Sequence, residues 1–355
     1  MYEDLGIDWL SPLEASAAFG VIVGLIFGAA AFYTKFCIRR ALVDSEPATR
    51  SSALAVWATA LAIALLGTQL SVIAGWIEFS EHRFHSDSIP LALIAIGGIL
   101  FGAGMVLTRG CASRLTVLSG SGNLRALFVI IVFAITAHAT LKGILSPIRT
   151  TLAELTVETT INAQLLDSQA MVWSVVLVLI ASVFFLVRKS TAPAKHIAGA
   201  AVIGLLVPAA WVGTGFVLQD DFDPIVFQSL SFTSPSSEWL FWSIASTSTG
   251  AGFGVGLLSG VVLGSAITAI AKSEFQWQSF TSPRETGRYS LGAVLMGIGG
   301  VFAGGCTVGA GLSGVASLSL SAALSLVFIV VGAKVTNAML RPRAMDPTSL
   351  KAASI

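Results

Sequence analysis

Charge is scarce in this sequence. Lysine and arginine number 20 and aspartate and glutamate 19, together 11% of 355 residues, where a soluble domain carries about 25%. The formal net charge is +1, which leaves no basic footprint for a nucleic acid. Cysteine is nearly absent as well: three residues, Cys37, Cys111 and Cys306, none in a Cys-x-x-Cys pair. This excludes a disulfide scaffold and a structural zinc site. With four histidines, no His-rich tract and no Walker-type loop, no metal, nucleotide or organic cofactor is expected. The first fourteen residues hold Glu3, Asp4, Asp8 and Glu14 and no cation. A cleaved signal begins with positive charge, so the chain is expected to run directly into its first spanning helix.

Apolar sequence fills the space that charge leaves. Hydrophobic residues make 55% of the chain and the mean hydropathy is +0.85, values that place it among polytopic membrane proteins. Runs long enough to cross a bilayer fall near 16–36, 52–75, 90–108, 123–145, 171–187, 197–218, 251–271, 289–305 and 319–340, about nine spans of roughly 20 residues. The segment 238–250 is short and rich in Ser and Thr, and 111–121 and 306–317 are short and rich in small residues. All three are expected as re-entrant half-helices. The expected fold is an all-α polytopic membrane protein, one transport domain over 1–355. Acidic residues are almost missing from the spans, so a carboxylate proton relay is not visible and facilitated or weakly coupled uptake is expected.

Two stretches match each other. Gly102-Ala103-Gly104 precedes Thr108-Arg109-Gly110-Cys111, and Gly297-Ile298-Gly299 precedes Ala303-Gly304-Gly305-Cys306. Each is followed by a Leu-Ser-Gly, at 118–120 and 312–314. Irregular backbone at membrane depth survives only where protein buries it or where it lines a cavity, and its occurrence in both halves of a chain marks a transporter's binding site. Short-loop cations set orientation: Lys35, Arg39, Arg40 and Arg50; Arg188, Lys189 and Lys195; Lys272, Arg284 and Arg288; Arg341, Arg343 and Lys351. Nine spans with the N-terminus outside and the C-terminus inside put every cluster on the cytoplasmic face. The two Gly-Cys turns then point in opposite directions, which predicts an inverted repeat: 16–145 as one half, 171–187 as a connector, and 197–340 as the other.

A half-helix starting at such a turn aims free N–H groups and its positive dipole end into the hollow. A thiol there adds a soft, weak donor suited to an anion that carries sulfur. Gly24 with Gly28 and Gly260 with Gly264 read as helix packing more readily than as chemistry. Cys37 has no cysteine counterpart in the second half, and its role stays open between packing and function. Arg109 and Arg114 bracket Cys111, either as anion ligands or as interfacial anchors, and His138, Lys142 and Lys334 are the other polar residues in or near the spans. Two other classes fit the pattern: a membrane redox protein pairing Cys111 with Cys306, which needs Cα atoms within about 7 Å, and a small-solute channel with the turns as its constriction.

Three motifs carry a family resemblance. They are Thr34-Lys35-Phe36-Cys37 through Arg40; Gly110-Cys111-Ala112-Ser113-Arg114 with Gly120-Ser121-Gly122-Asn123-Leu124-Arg125; and Gly304-Gly305-Cys306-Thr307 with Gly311-Leu312-Ser313-Gly314. Together they resemble the YeeE/YedE family of sulfur-transport membrane proteins, whose studied members take up thiosulfate. The resemblance implies an hourglass-shaped helical protein of the inner membrane, with thiosulfate's terminal sulfur handed between Cys37, Cys111 and Cys306 by S–H···S contacts. The motif neighbours Gly110, Gly305, Thr307, Arg109, Arg114, Asn123 and Ser313 complete the candidate path. It further implies a cytoplasmic sulfur-carrier partner of the TusA type. One departure is Ala310, where many members carry His; it opens another sulfur or selenium species as the substrate.

Overall fold

In lipid every backbone N–H and C=O must be paired within the protein, so long apolar runs fold as helices. The structure, a computed structural model, describes residues 10–80, 82–86, 88–158, 169–220 and 222–340. The expectations placed on Glu3, Asp4, Asp8, Arg341, Arg343 and Lys351 lie outside these residues. The helices are α1 (Pro12–Thr34), α2 (Ile38–Val43), α3 (Pro47–Ile73), α4 (Leu91–Leu107), α5 (Ala112–Gly120), α6 (Leu124–Leu141), α7 (Ser146–Ala153), α8 (Gln169–Lys189), α9 (Ala194–Val212), α10 (Thr233–Ala245), α11 (Phe253–Ala271), α12 (Pro283–Phe302) and α13 (Leu320–Leu340). A two-residue antiparallel pair joins Ser88–Ile89 to Val157–Glu158. Local signals set the helix starts: Ser11 and Glu14 form a capping box on α1, and Asn123 and Ser282 accept from the first turns of α6 and α12.

Among the described residues, eight segments are long and apolar enough to cross a membrane, so the chain is an all-α polytopic membrane protein. The remaining expected run, 289–305, lies in α12 up to Phe302; α12 is a full-length helix of 20 residues whose first turns carry Arg284, Glu285 and Arg288. Those charges keep it outside the apolar set. The short segments are also helical, with shifted bounds. The first is α5, the segment expected at 238–250 begins earlier as α10, and residues Gly309–Gly314 wind as a π-helical turn after Cys306.

The packing follows a pattern of directions. A Cβ at Gly20, Gly24 or Gly28 of α1 would run into backbone at Phe253, Leu257 and Val261 of α11 in turn, so these two helices are parallel. Gly98 and Gly102 likewise set α4 parallel to α13, against Phe328 and Ile329, and Gly67 and Gly204 set α3 parallel to α9. In contrast, Gly97 meets Ala303 while Gly104 meets Gly292, so α4 and α12 are antiparallel. Gly199 meets Thr34 while Gly213 meets Phe19, so α1 and α9 are antiparallel too. Helix α8 rests on the outside of α3 through Leu65, Val172 and Val176.

The glycine pairs correct one sequence expectation. Gly102, Gly104, Gly297 and Gly299 do not form irregular backbone; they sit in regular α4 and α12. They are small because backbone of a neighbouring helix, or the Thr136 side chain at Gly297, lies where a Cβ would be. Leu118-Ser119-Gly120 is likewise the last turn of α5 rather than a separate turn.

Candidate functional site

Each cysteine stands two residues after a left-handed residue. Lys35 (φ 53°), Arg109 (φ 59°) and Gly304 (φ 73°) end α1, α4 and α12, and Cys37, Cys111 and Cys306 follow. The Phe36 N–H reaches back to the Ala31 carbonyl (3.1 Å) and the Gly110 N–H to the Met105 carbonyl (3.1 Å), the six-to-one bond of a Schellman cap. The cap stops the long helix and turns the chain so that the cysteine starts a new short one: Cys37 precedes α2 and Cys111 precedes α5.

Two of these turns share one end of the molecule. The side chains of Cys37 and Cys111 are neighbours, and the Arg114 guanidinium lies near both. Arg114 Nη1 also approaches the Ala31 carbonyl (3.5 Å), and the Cys111 sulfur lies 3.3 Å from the Ser113 hydroxyl. Both cysteines are buried and free. This end carries cations: Lys195 and Lys272 lie over the Tyr33 ring at 5.8 and 3.7 Å, and Lys35 follows two residues later.

Cys306 lies at the other end of antiparallel α4 and α12. Its sulfur accepts the Gly309 N–H (3.3 Å), and it is wholly buried. Beside its turn lies a cavity of about 330 Å³, lined by Gly309 and Ser313 but not by Cys306 itself, and by His82, Arg83, Trp211 and Glu238. The chain between α9 and α10 forms another wall, with Ser313 Oγ donating to the Leu230 carbonyl (2.7 Å). The Trp211 indole N–H and the Thr233 hydroxyl, which opens α10, are buried and have no partner among the described residues. The loop carrying His82 is stapled down: Ser319 Oγ donates to the Phe84 carbonyl (2.6 Å) and His85 Nε2 lies 3.2 Å from Ser317 Oγ. Burial, with the charges of Arg83 and His85, pulls His82 down to about 4. A row of rings, Phe36–Phe27–Phe232, with centroids 6.3 and 5.3 Å apart, lies between the Cys37 turn and the start of α10.

The structure therefore brings Cys37, Cys111, Gly110 and Arg114 together at one end, and Cys306, Gly305, Thr307 and Ser313 at the other. Arg109 is exposed, its side chain turned out from a helix end. Asn123 serves as the cap of α6 and donates to Gln278 Oε1 (3.1 Å). His138 hydrogen-bonds Ser237 (2.8 Å) and stacks on Phe241, holding α10 to α6. Cys111 has Cys37 beside it, and no cysteine is in a disulfide. Sequence reasoning missed His82, Arg83, Trp211 and Glu238. No motif marks them, since they come from a loop and two helices that only the fold joins. Ala310 packs with Phe84 and Ala322, so the phenyl ring occupies the neighbourhood into which a larger residue at 310 would project.

A multi-pass membrane protein with broken helices, buried thiols and a cavity beside one of the breaks has the build of a small-solute transporter. Residues 33–335 match the family described as sulphur transport, and the chain belongs to it. It is 26% identical over 339 residues to the thiosulfate transporter TsuA of Escherichia coli (strain K12), covering 88% of this chain and 91% of that one. It is also 26% identical over 358 residues to the protein of the same name from Spirochaeta thermophila, covering 88% and 96%.

Proposed function

We propose that this chain is a bacterial inner-membrane transporter that takes up thiosulfate, with its N-terminus outside and its C-terminus in the cytoplasm. The observation that carries this reading is the placement of buried thiols at helix breaks on both ends of one packed core, with a cavity lined by the turn that follows one of them. Thiosulfate enters that cavity, where Arg83, the Trp211 N–H and the N-terminal end of α10 complement its charge. Its sulfonate oxygens suit these hard donors. Its terminal sulfur suits a thiol, which is polarizable and a weak donor. The anion then passes from Cys306 to the Cys111 and Cys37 pair by S–H···S contacts with no covalent step, and Arg114 receives its charge. Phe27 and its neighbouring rings seal the path between passages.

The parallel pairs α1–α11, α3–α9 and α4–α13, with antiparallel α4–α12 and α1–α9, support reading 16–145 and 197–340 as inverted halves about an axis in the membrane plane. Each half runs as long helix, break, short helix, long helix, long helix, break. The gathering of Lys35, Lys195 and Lys272 around Tyr33 supports placing that end in the cytoplasm. A small TusA-type carrier that accepts the imported sulfur would meet the protein there.

Purified protein in liposomes tests the reading. Radiolabelled thiosulfate should accumulate with saturation and be displaced by unlabelled thiosulfate but not by sulfate, which lacks the soft sulfur. Flux that never saturates would indicate a channel, and equal displacement by sulfate would remove the thiols from recognition.

A further inference from the structure

A second cavity lies away from the transport path, on the flank formed by α6, α10 and α11. Its volume is about 550 Å³, and its lining is almost wholly apolar. Leu127 and Ile131 of α6 and Leu263 of α11 stand along it, 42%, 41% and 52% exposed. These are faces of membrane-spanning helices, so the groove opens towards lipid rather than water. An apolar hollow of this kind does not hold water.

We propose that this groove binds one acyl chain of a phospholipid. The head-group end is marked by the loop 272–282, which lays Phe275 and Trp277 over the groove. Trp277 is 73% exposed, as expected of an aromatic at the membrane interface. The loop is a built rim: Gln276 and Gln278 donate backbone N–H groups to the Ser121 and Gly122 carbonyls (3.2 and 3.1 Å), and Leu124 N–H donates to the Gln278 carbonyl (2.8 Å). Arg284, exposed in the first turn of α12, follows this rim in sequence and complements a lipid phosphate.

The floor gives the groove its consequence. It is formed by Ser119 and Gly120 at the end of α5 and by Trp239 of α10, whose indole N–H donates to Ser259 Oγ (3.1 Å). These are the short helices that start at Cys111 and at the cavity beside the Cys306 turn. A bound chain supplies them with packing on the side where no protein element covers them among the described residues.

The test uses the full-length protein, purified in mild detergent and studied intact by native mass spectrometry. The wild type should retain one phospholipid per chain. Leu127→Trp and Ala266→Trp, which fill the groove, should lower that occupancy about tenfold, while Val331→Trp, on the lipid-facing side of α13, should leave it unchanged. Leu127 is partly exposed and tolerates bulk, so it decides the matter even where Ala266→Trp fails to fold. A second readout is the melting temperature of delipidated protein. Added phosphatidylglycerol should raise it in the wild type and Val331→Trp but not in the filled variants. Stronger retention of phosphatidylglycerol than of phosphatidylethanolamine would assign the phosphate end to Arg284, and equal retention would place recognition in the acyl chain alone; either supports the site. A wild type without lipid, or filled variants that retain it equally, would overturn it. Neither readout involves thiosulfate, so the result stands apart from the transport reading.

Discussion

Lys35, Arg109 and Gly304 share one backbone conformation, yet only Gly304 adopts it without steric cost. For residues with a Cβ the left-handed region costs roughly 1–2 kcal/mol, and the helix stop at these positions is what aims each cysteine. Two outcomes follow in thermal unfolding. Gly304→Val should lower stability by at least about 1 kcal/mol and disturb the Cys306 turn, whereas Arg109→Gly should hold or slightly raise stability. A second residue-scale prediction concerns His82, pulled down to about 4, and His85, lowered by its burial. Their unfolded values are near 6.5, so between about pH 6.5 and 4 the unfolded chain binds protons that the folded one does not. Stability is thus fully present above pH 6.5 and lost as the pH falls towards 4. His82→Asn should flatten that decline in melting temperature; an unchanged profile would show that His82 is freely hydrated.

At the scale of elements, the helices meet through glycine faces. The α1–α11 seam should fail when it is filled: Gly24→Leu and Gly260→Leu place side chains where the partner backbone already lies, and folded protein should be lost from detergent extracts. Gly287 is the contrasting case, exposed in α12 with open space where a methyl group would stand. Gly287→Ala should therefore stabilise by about 0.4–1 kcal/mol. The same contrast explains what could be read in advance. Long apolar runs set the rough limits of eight spans among the described residues, because nothing but a helix satisfies their backbone in lipid, while the ninth expected run falls in the more polar α12. The Gly-x-Gly pairs misled, because glycine signals close approach within a helix as readily as a break in one. The left-handed residues at 35 and 109 gave no sign at all, since Lys and Arg seldom adopt that conformation. Bounds of the half-helices shifted because caps and π-helical turns, not apolarity, decide where they begin.

For the molecule as a whole, the repeat paired Cys111 with Cys306 and only the family resemblance added Cys37, while the cavity beside the Cys306 turn was not legible at all. Its walls come from residues 82–83, 211 and 238, distant in sequence and joined only by the packing of α9 and α10 against the loop that follows α3. If the cavity is where thiosulfate is captured, Arg83→Gln should raise the KM for uptake several-fold with little change in protein abundance. An unchanged KM would move capture elsewhere. Everything proposed for transport rests on a sulfur anion crossing the membrane along these thiols. Thiosulfate uptake into cells lacking their own route decides it, comparing the native chain with Cys37→Ala, Cys111→Ala and Cys306→Ala at equal membrane abundance. Thiol-guided passage predicts uptake by the native chain and its loss in each variant. Uptake that survives all three substitutions would make the cysteines packing residues and contradict a thiol-lined path.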